Sequence, residues 1–174
     1  VAAWMTDTLQ FLPPDLVKWY SATADSLVLS FFADERPLRG ASGIADWRLC
    51  GRISRLIRSG RLVGLRGETL LLPPARARLS FRRVFLFGLG PQQLFDEHEY
   101  RETVRRIRDV VHRAGVSRYA LQAPGRAVGR VAARRALELW LEAAADGYGA
   151  EVTMIEPLPG QREMAEALRA RARS

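Results

Sequence analysis

The chain has one cysteine, one lysine, two histidines and no asparagine in 174 residues. A single thiol, Cys50, excludes an internal disulfide and fits a reducing cytoplasm. His98 and His112 lie fourteen residues apart, too far to share one ion. No His-Glu-x-x-His and no cysteine cluster accompanies them, so no metal site is expected. No apolar run reaches the length of a membrane span. The first thirty residues show no basic start followed by an apolar stretch, so neither a signal peptide nor a membrane partner is expected.

Arginine is what the chain has in excess. Twenty-six arginines and Lys18 face nineteen acidic residues, a formal net charge of +8. Two readings of that excess stand side by side. A GC-rich coding sequence favours Arg, Ala and Leu everywhere, or a positive field steers the protein towards phosphates. The apolar and charged fractions, 48% and 26%, are those of an ordinary globular protein. The length suits one domain with a normal core.

Apolar runs bounded by Gly and Pro mark the strands. They are Ser26–Phe32, Gly67–Pro73, Arg83–Gly90, Val116–Ala123 and Glu151–Glu156, with a short one at Leu9–Leu12 stopped by Pro13-Pro14. Helical periodicity fills the gaps at residues 44–59, 95–114, 127–146 and from Pro157 to the C-terminus. An arginine-rich turn spans Pro74–Arg83, and Gly147–Gly149 breaks the chain before the last strand. Strands alternating with helices predict an α/β fold: a single three-layer module with a mixed, mainly parallel sheet and helices on both faces. Its parts are an N-terminal extension at 1–25, a core at 26–156 and a C-terminal helix at 157–174.

Three helices carry further expectations. In the first, Trp47, Cys50, Ile53 and Ile57 form an apolar stripe, with Arg48, Arg52 and Arg55 on another. In the second, Tyr100, Val104, Ile107 and Val111 face the core, opposite Arg101, Arg105 and Arg108. Either arginine stripe is a candidate for phosphate contact, free of interleaved acids, although the aromatics that stack on single strands are lacking. The third helix has a narrow polar stripe, Arg130, Arg134, Glu138 and Glu142. Apolar residues including Leu137, Leu139, Trp140 and Leu141 wrap most of the rest. Such a helix needs cover on more than one side, from another helix, the N-terminal segment or a partner subunit.

Glycine-bearing loops after strands are the candidate ligand site. Backbone N–H groups at the start of a helix attract anions, and Arg39, Gly40, Ser42, Gly43 and Ile44 open one helix, with Asp34 just upstream. Gly88 and Gly90 end a strand, and Gly125 with Arg126 precedes the third helix. All three loops would converge at one edge of a parallel sheet, where ligands of open α/β folds bind. Turn glycines explain the same residues without any ligand. No third glycine completes a dinucleotide fingerprint after Gly88-Leu89-Gly90, and Gly40-Ala41-Ser42-Gly43 is no nucleophile elbow. Cys50 reads as a small buried hydrophobe, and no cofactor is implied.

The order from Arg58 through Gly60, Gly67–Leu72 and Arg83–Gly90 to Phe95–Tyr100 resembles the N-terminal domain of leucyl aminopeptidases. The similarity runs from Ala24 to Gly125 and continues more weakly to Glu156. It implies a macro-domain-like module without peptidase chemistry, in a family where this domain contributes to hexamer assembly. Macro domains often bind ADP-ribose or related nucleotides. The family's catalytic Asn-Thr-Asp-Ala-Glu-Gly-Arg segment and metal-ligating lysine and aspartates are absent here, and Lys18 lies upstream of the matching region. No catalytic residue carries over. Leu38–Ile44 resembles the macro-domain loop-to-helix segment but lacks its asparagine. The resemblance therefore implies a non-catalytic, cytoplasmic module acting as a homo-oligomer or with a protein partner, such as a separate peptidase chain. A nucleotide-like phosphate ligand is the alternative, and nucleic acid at the arginine stripes a third.

Overall fold

The computed structural model describes residues 8–73, 78–145 and 149–173. Residues 74–77 of the arginine-rich turn, the end of the third predicted helix at Asp146 and the Gly147-Tyr148 part of the break lie outside them. Five parallel strands form the body of one sheet: β1 (Thr8–Leu12), β2 (Ser26–Phe31), β4 (Arg83–Gly88), β5 (Arg118–Leu121) and β6 (Glu151–Ile155). The strand β3 (Thr69–Leu72) closes one edge antiparallel to β4, giving the order β1-β6-β5-β2-β4-β3. The sheet is mixed and mainly parallel, as the alternation of strands and helices predicts.

Both faces of the sheet are covered, because each strand sends alternate side chains to opposite sides. On β2, Leu27, Leu29 and Phe31 join one core while Val28 joins the other. On β4, Val84 and Leu86 part from Phe85 and Phe87 in the same way. The first core is covered by α1 (Leu16–Trp19), α2 (Gly40–Arg48) and α3 (Arg52–Arg58). The second lies under α4 (Glu97–Arg113), α5 (Ala133–Ala143) and α6 (Leu158–Ala172).

The helix α4 forms as its sequence dictates. Asp96 caps it by accepting from the Glu99 N–H at 2.9 Å. It ends at Gly115, where the Gly115 and Val116 N–H groups return to the carbonyls of His112 and Val111. Tyr100, Val104, Ile107 and Val111 are buried, as expected. Arg108 is not on the solvent stripe. It is 1% exposed and donates to the Ala144 carbonyl at 3.3 Å.

One other expectation is corrected, and among the covers expected for the third helix the structure supplies other helices. The helix expected over 44–59 is two helices, broken at Leu49–Gly51, where Cys50 and Gly51 take φ of 55° and 73°. Asp46 drives the break: its Oδ1 accepts from the Ile53 and Ser54 N–H groups at 2.7 and 3.1 Å and so caps α3. The turn leaves Cys50 exposed and Trp47 75% exposed, where helical periodicity puts both inside. The broadly apolar α5 packs between α4 and α6, so Leu137, Leu139 and Trp140 are wholly buried within the chain. That helix offers no free apolar face to a partner.

Candidate functional site

The loops following β2, β4 and β5 meet at the carboxyl edge of the sheet, as expected for parallel strands. Ala33 N–H donates to the Gly90 carbonyl at 3.0 Å, and Gln92 N–H to Asp34 Oδ1 at 3.1 Å, tying the first two loops together. Ala41 N–H donates to Gln122 Oε1 at 2.8 Å, tying the first to the third. All three glycine loops are therefore in one place.

Several of their N–H groups are already engaged. Glu35 turns inward, 4% exposed, and its two oxygens accept from Phe32 N–H and Arg39 N–H at 3.1 and 2.9 Å. Burial pushes the Glu35 carboxyl above its ordinary value, while these two bonds and the Arg39 and Arg36 guanidinium groups oppose that rise. Gln122 holds the first turn of α2, and Ser42 Oγ donates to the Ser30 carbonyl at 2.9 Å. A phosphate arriving at Arg39–Ile44 would have to displace the chain's own carboxylate and amide. Ile44 packs against the α1–α3 core.

The glycines fit the same account. A Cβ on Gly40 would lie 2.1 Å from Gln122 Oε1, and one on Gly88 would lie 2.1 Å from the Leu65 carbonyl oxygen. Both are close approaches between segments of this protein. On Gly43 the obstacle is the Leu38 carbonyl oxygen, at 2.5 Å. The cavities that remain are small. One, beside Glu35, Gln122 and Gly125, measures about 10 Å³, and one between Asp34, Arg36, Arg39 and Gln92 about 130 Å³. Drug-sized ligands occupy roughly 300–1,000 Å³.

Arg126 is also taken. Its Nε and Nη2 pair with both oxygens of Glu156, which is 1% exposed, and its Nη1 donates to the Val131 carbonyl at 2.7 Å. That carboxylate, more than any other group, holds the guanidinium protonated. Glu35, Gln122 and Glu156 are the residues sequence reading missed. Gln122 and Glu156 are single polar residues at strand ends, Glu35 lies in the charged turn Asp34-Glu35-Arg36, and no periodicity or motif marks any of them.

The arginine stripes divide differently from the way the sequence suggests. Arg101 pairs with Glu142 and Glu97 at 2.7 and 3.4 Å, and Arg105 with Glu102 at 2.5 Å, so this stripe is met by acids from its own and the neighbouring helix. Among the described residues, Arg48, Arg52 and Arg55 donate to neutral oxygens: the Tyr20 phenol, the Pro73 carbonyl and the Cys50 carbonyl. Among the described residues, no cluster of three or more His, Cys, Asp or Glu side chains is arranged to hold a metal ion. Nor is any described helix long and apolar enough to cross a membrane.

Strand order, layers and loop edge define a macro-domain-like α/β module. Its overall structure is similar to a mutant macrodomain from Oceanobacillus iheyensis, with a TM-score of 0.69 at 14% identity over 99% of this chain and 96% of that one. A mutant tomato leucine aminopeptidase matches with a TM-score of 0.60 at 12% identity, over 99% of this chain and 37% of the enzyme. At such identities these likenesses establish the fold alone. Residues 28–148 match the family model described as "Cytosol aminopeptidase family, N-terminal domain", and the chain belongs to that family. A probable cytosol aminopeptidase from Burkholderia multivorans is 37% identical over 81 residues, 47% of this chain. The match covers only 16% of that relative's length.

Proposed function

We propose that this module works by docking to protein, as a non-catalytic member of an aminopeptidase-type assembly. The partner is a second copy or a chain bearing peptidase chemistry. The observation that carries this reading is the partly occupied loop edge, where Glu35 and Gln122 accept from the Phe32, Arg39 and Ala41 N–H groups. The cavities described there, of about 10 and 130 Å³, are smaller than those that drug-sized ligands occupy. The covered α5 shifts the docking surface elsewhere, since its apolar side chains are satisfied within the chain.

A second reading is nucleotide binding, supported by the macrodomain likeness and by the convergence of the three glycine loops. It requires Glu35 and Gln122 to swing out. The melting temperature with and without saturating ADP-ribose separates the two. At a hundred times its dissociation constant a ligand adds about 2.7 kcal/mol, a shift of several degrees at this size. The docking reading expects no shift. A saturable shift that Gly43 and Gly90 substitutions abolish would establish the nucleotide reading instead.

A further inference from the structure

We infer that the groove between α2 and α3 is a docking surface for an acidic, amphipathic peptide segment of a partner protein. The inference rests on the reading that the module works through protein contact, and it names the surface and the partner's chemistry.

The groove is apolar at its floor. Pro37, Leu38 and Ser54 are shared by two adjoining hollows of about 640 and 310 Å³. Trp47 stands at one end with 75% of its surface in water, and Ile57 lines the other. The Asp46-capped turn at Leu49–Gly51 creates this shape by swinging α3 away from the line of α2. An indole left in water beside an aliphatic floor is the pattern of an interface anchor.

The walls are basic, and one of their arginines, Arg36, acts on the buried Glu35 carboxylate. Residues 36–67 hold eight arginines and one carboxylate, Asp46, with Glu35 and Glu68 at the two ends of that stretch; Arg36, Arg48 and Arg58 of these line the hollows. Asp46 is buried and accepts from Ile53, Ser54 N–H and Ser54 Oγ. Of the eight arginines only Arg66 has a carboxylate within ion-pair distance among the described residues, Glu99 at 2.8 Å. Arg48 and Arg58 flank the two hollows directly.

An apolar floor between cationic walls matches a segment that presents apolar residues on one side and carboxylates along its margins. Nucleic acid would meet the same arginines. Sequence-tolerant single-strand binding, however, stacks successive bases on several rings, and the hollows offer one ring, Trp47, over aliphatic carbon. The acidic peptide is the better fit.

The test is selection of a random short-peptide library on the full chain. Synthesis of the enriched peptides follows, with dissociation constants from fluorescence anisotropy. Enriched peptides are expected to combine two or more apolar residues with two or more carboxylates, and to bind more weakly as salt rises. Trp47→Ala and the double charge reversal Arg48→Glu, Arg58→Glu should each weaken binding by about ten-fold or more. Arg113→Glu, on the opposite face of the sheet, should not. All these side chains lie at the surface, and a melting curve checks that each variant folds. No enrichment, enriched peptides without carboxylates, or affinities unchanged in both groove variants would overturn the inference. So would a single-stranded oligonucleotide that displaces the peptides and binds more tightly. ADP-ribose stabilisation with peptide binding intact would remove the closed-cleft reading and leave this surface. Failure of peptide binding with no ADP-ribose shift would remove this surface alone.

Discussion

Arg126 separates a ligand-binding role from a structural one. As a phosphate contact, it should be removable without loss of stability. In the structure it donates two hydrogen bonds to Glu156, which is 1% exposed, and a third to the Val131 carbonyl. Arg126→Met would strand a buried carboxylate. Breaking such a pair from one side costs about 3–5 kcal/mol. The Arg126 side chain keeps 18% of its surface in water, so water can partly replace it and the low end, about 3 kcal/mol, is expected. For a chain of this size that is a fall in melting temperature of roughly 6–12 °C. Adding Glu156→Leu removes the stranded charge, and the double variant should recover most of the loss. Urea denaturation of the parent, both single variants and the double variant gives the coupling. Arg126→Met within about 0.5 kcal/mol of the parent, or a double variant no better than the worse single one, would refute the structural assignment.

Trp140→Ala, in the layer between α4 and α6, should cost about 3–5 kcal/mol without altering the mass seen by light scattering. A changed mass at near-parent stability would mean that α5 is an interface after all. Gly88→Ala places a Cβ against the Leu65 carbonyl and should cost upwards of about 2 kcal/mol, because a backbone atom must give way; a neutral result in denaturant would contradict the close approach. Asp46→Ala should lose about 1–2 kcal/mol as α3 loses its cap, and Asp46→Asn, which keeps the Oδ1 acceptor, should lose less. The Arg135 guanidinium holds the Glu97 carboxyl below its ordinary value, and Arg134 and Arg135 together do the same for Glu138. Lowered folded values mean stability present above about pH 4.5 and lost as pH falls through them. Arg135→Ala should therefore cost more near pH 7 than near pH 3, and an equal cost at both would sink that account. Glu35, raised by burial, contributes with the opposite sign, its stability falling as it ionises with rising pH.

The sheet was legible because a buried parallel strand must be apolar on both faces; Val84–Phe87 carries that signal without interruption, and Leu27–Phe32 is broken only by Ser30. The helix α4 was legible because its signals are local: Asp96 at one end, Gly115 at the other, and an apolar residue every third or fourth position between. The break between α2 and α3 was not. Trp47, Cys50, Ile53 and Ile57 keep helical spacing, yet the chain turns there because Asp46 reaches seven residues ahead to Ile53. A side chain bonding across a turn leaves no periodic trace. Arg108 misled for a related reason, since its burial depends on α5 covering that side of α4, and spacing within α4 alone cannot register a neighbour. At the loop edge, sequence placed the three glycine loops together correctly. What fills the space between them comes from Glu35 and Gln122, 87 positions apart in the chain. Only the folded arrangement reveals that these two side chains engage the Phe32, Arg39 and Ala41 N–H groups there.

The same dependence on placement bears on the arginine excess. A coding bias towards arginine would act on every segment alike, and arginine is indeed abundant on both faces of the sheet. The carboxylates are unevenly placed. The helix α4 sets Glu97, Glu99, Glu102 and Asp109 among its five arginines, whereas residues 36–67 set Asp46 alone among eight. Acids are dense along α4 and sparse between Glu35 and Glu68. Excess charge of one sign costs stability through self-repulsion, and here it borders the groove that also leaves Trp47 in water. Two costs at one place are relieved by one event, the arrival of an acidic and apolar segment. A coding bias would act on the arginines and would not by itself set where the carboxylates stand.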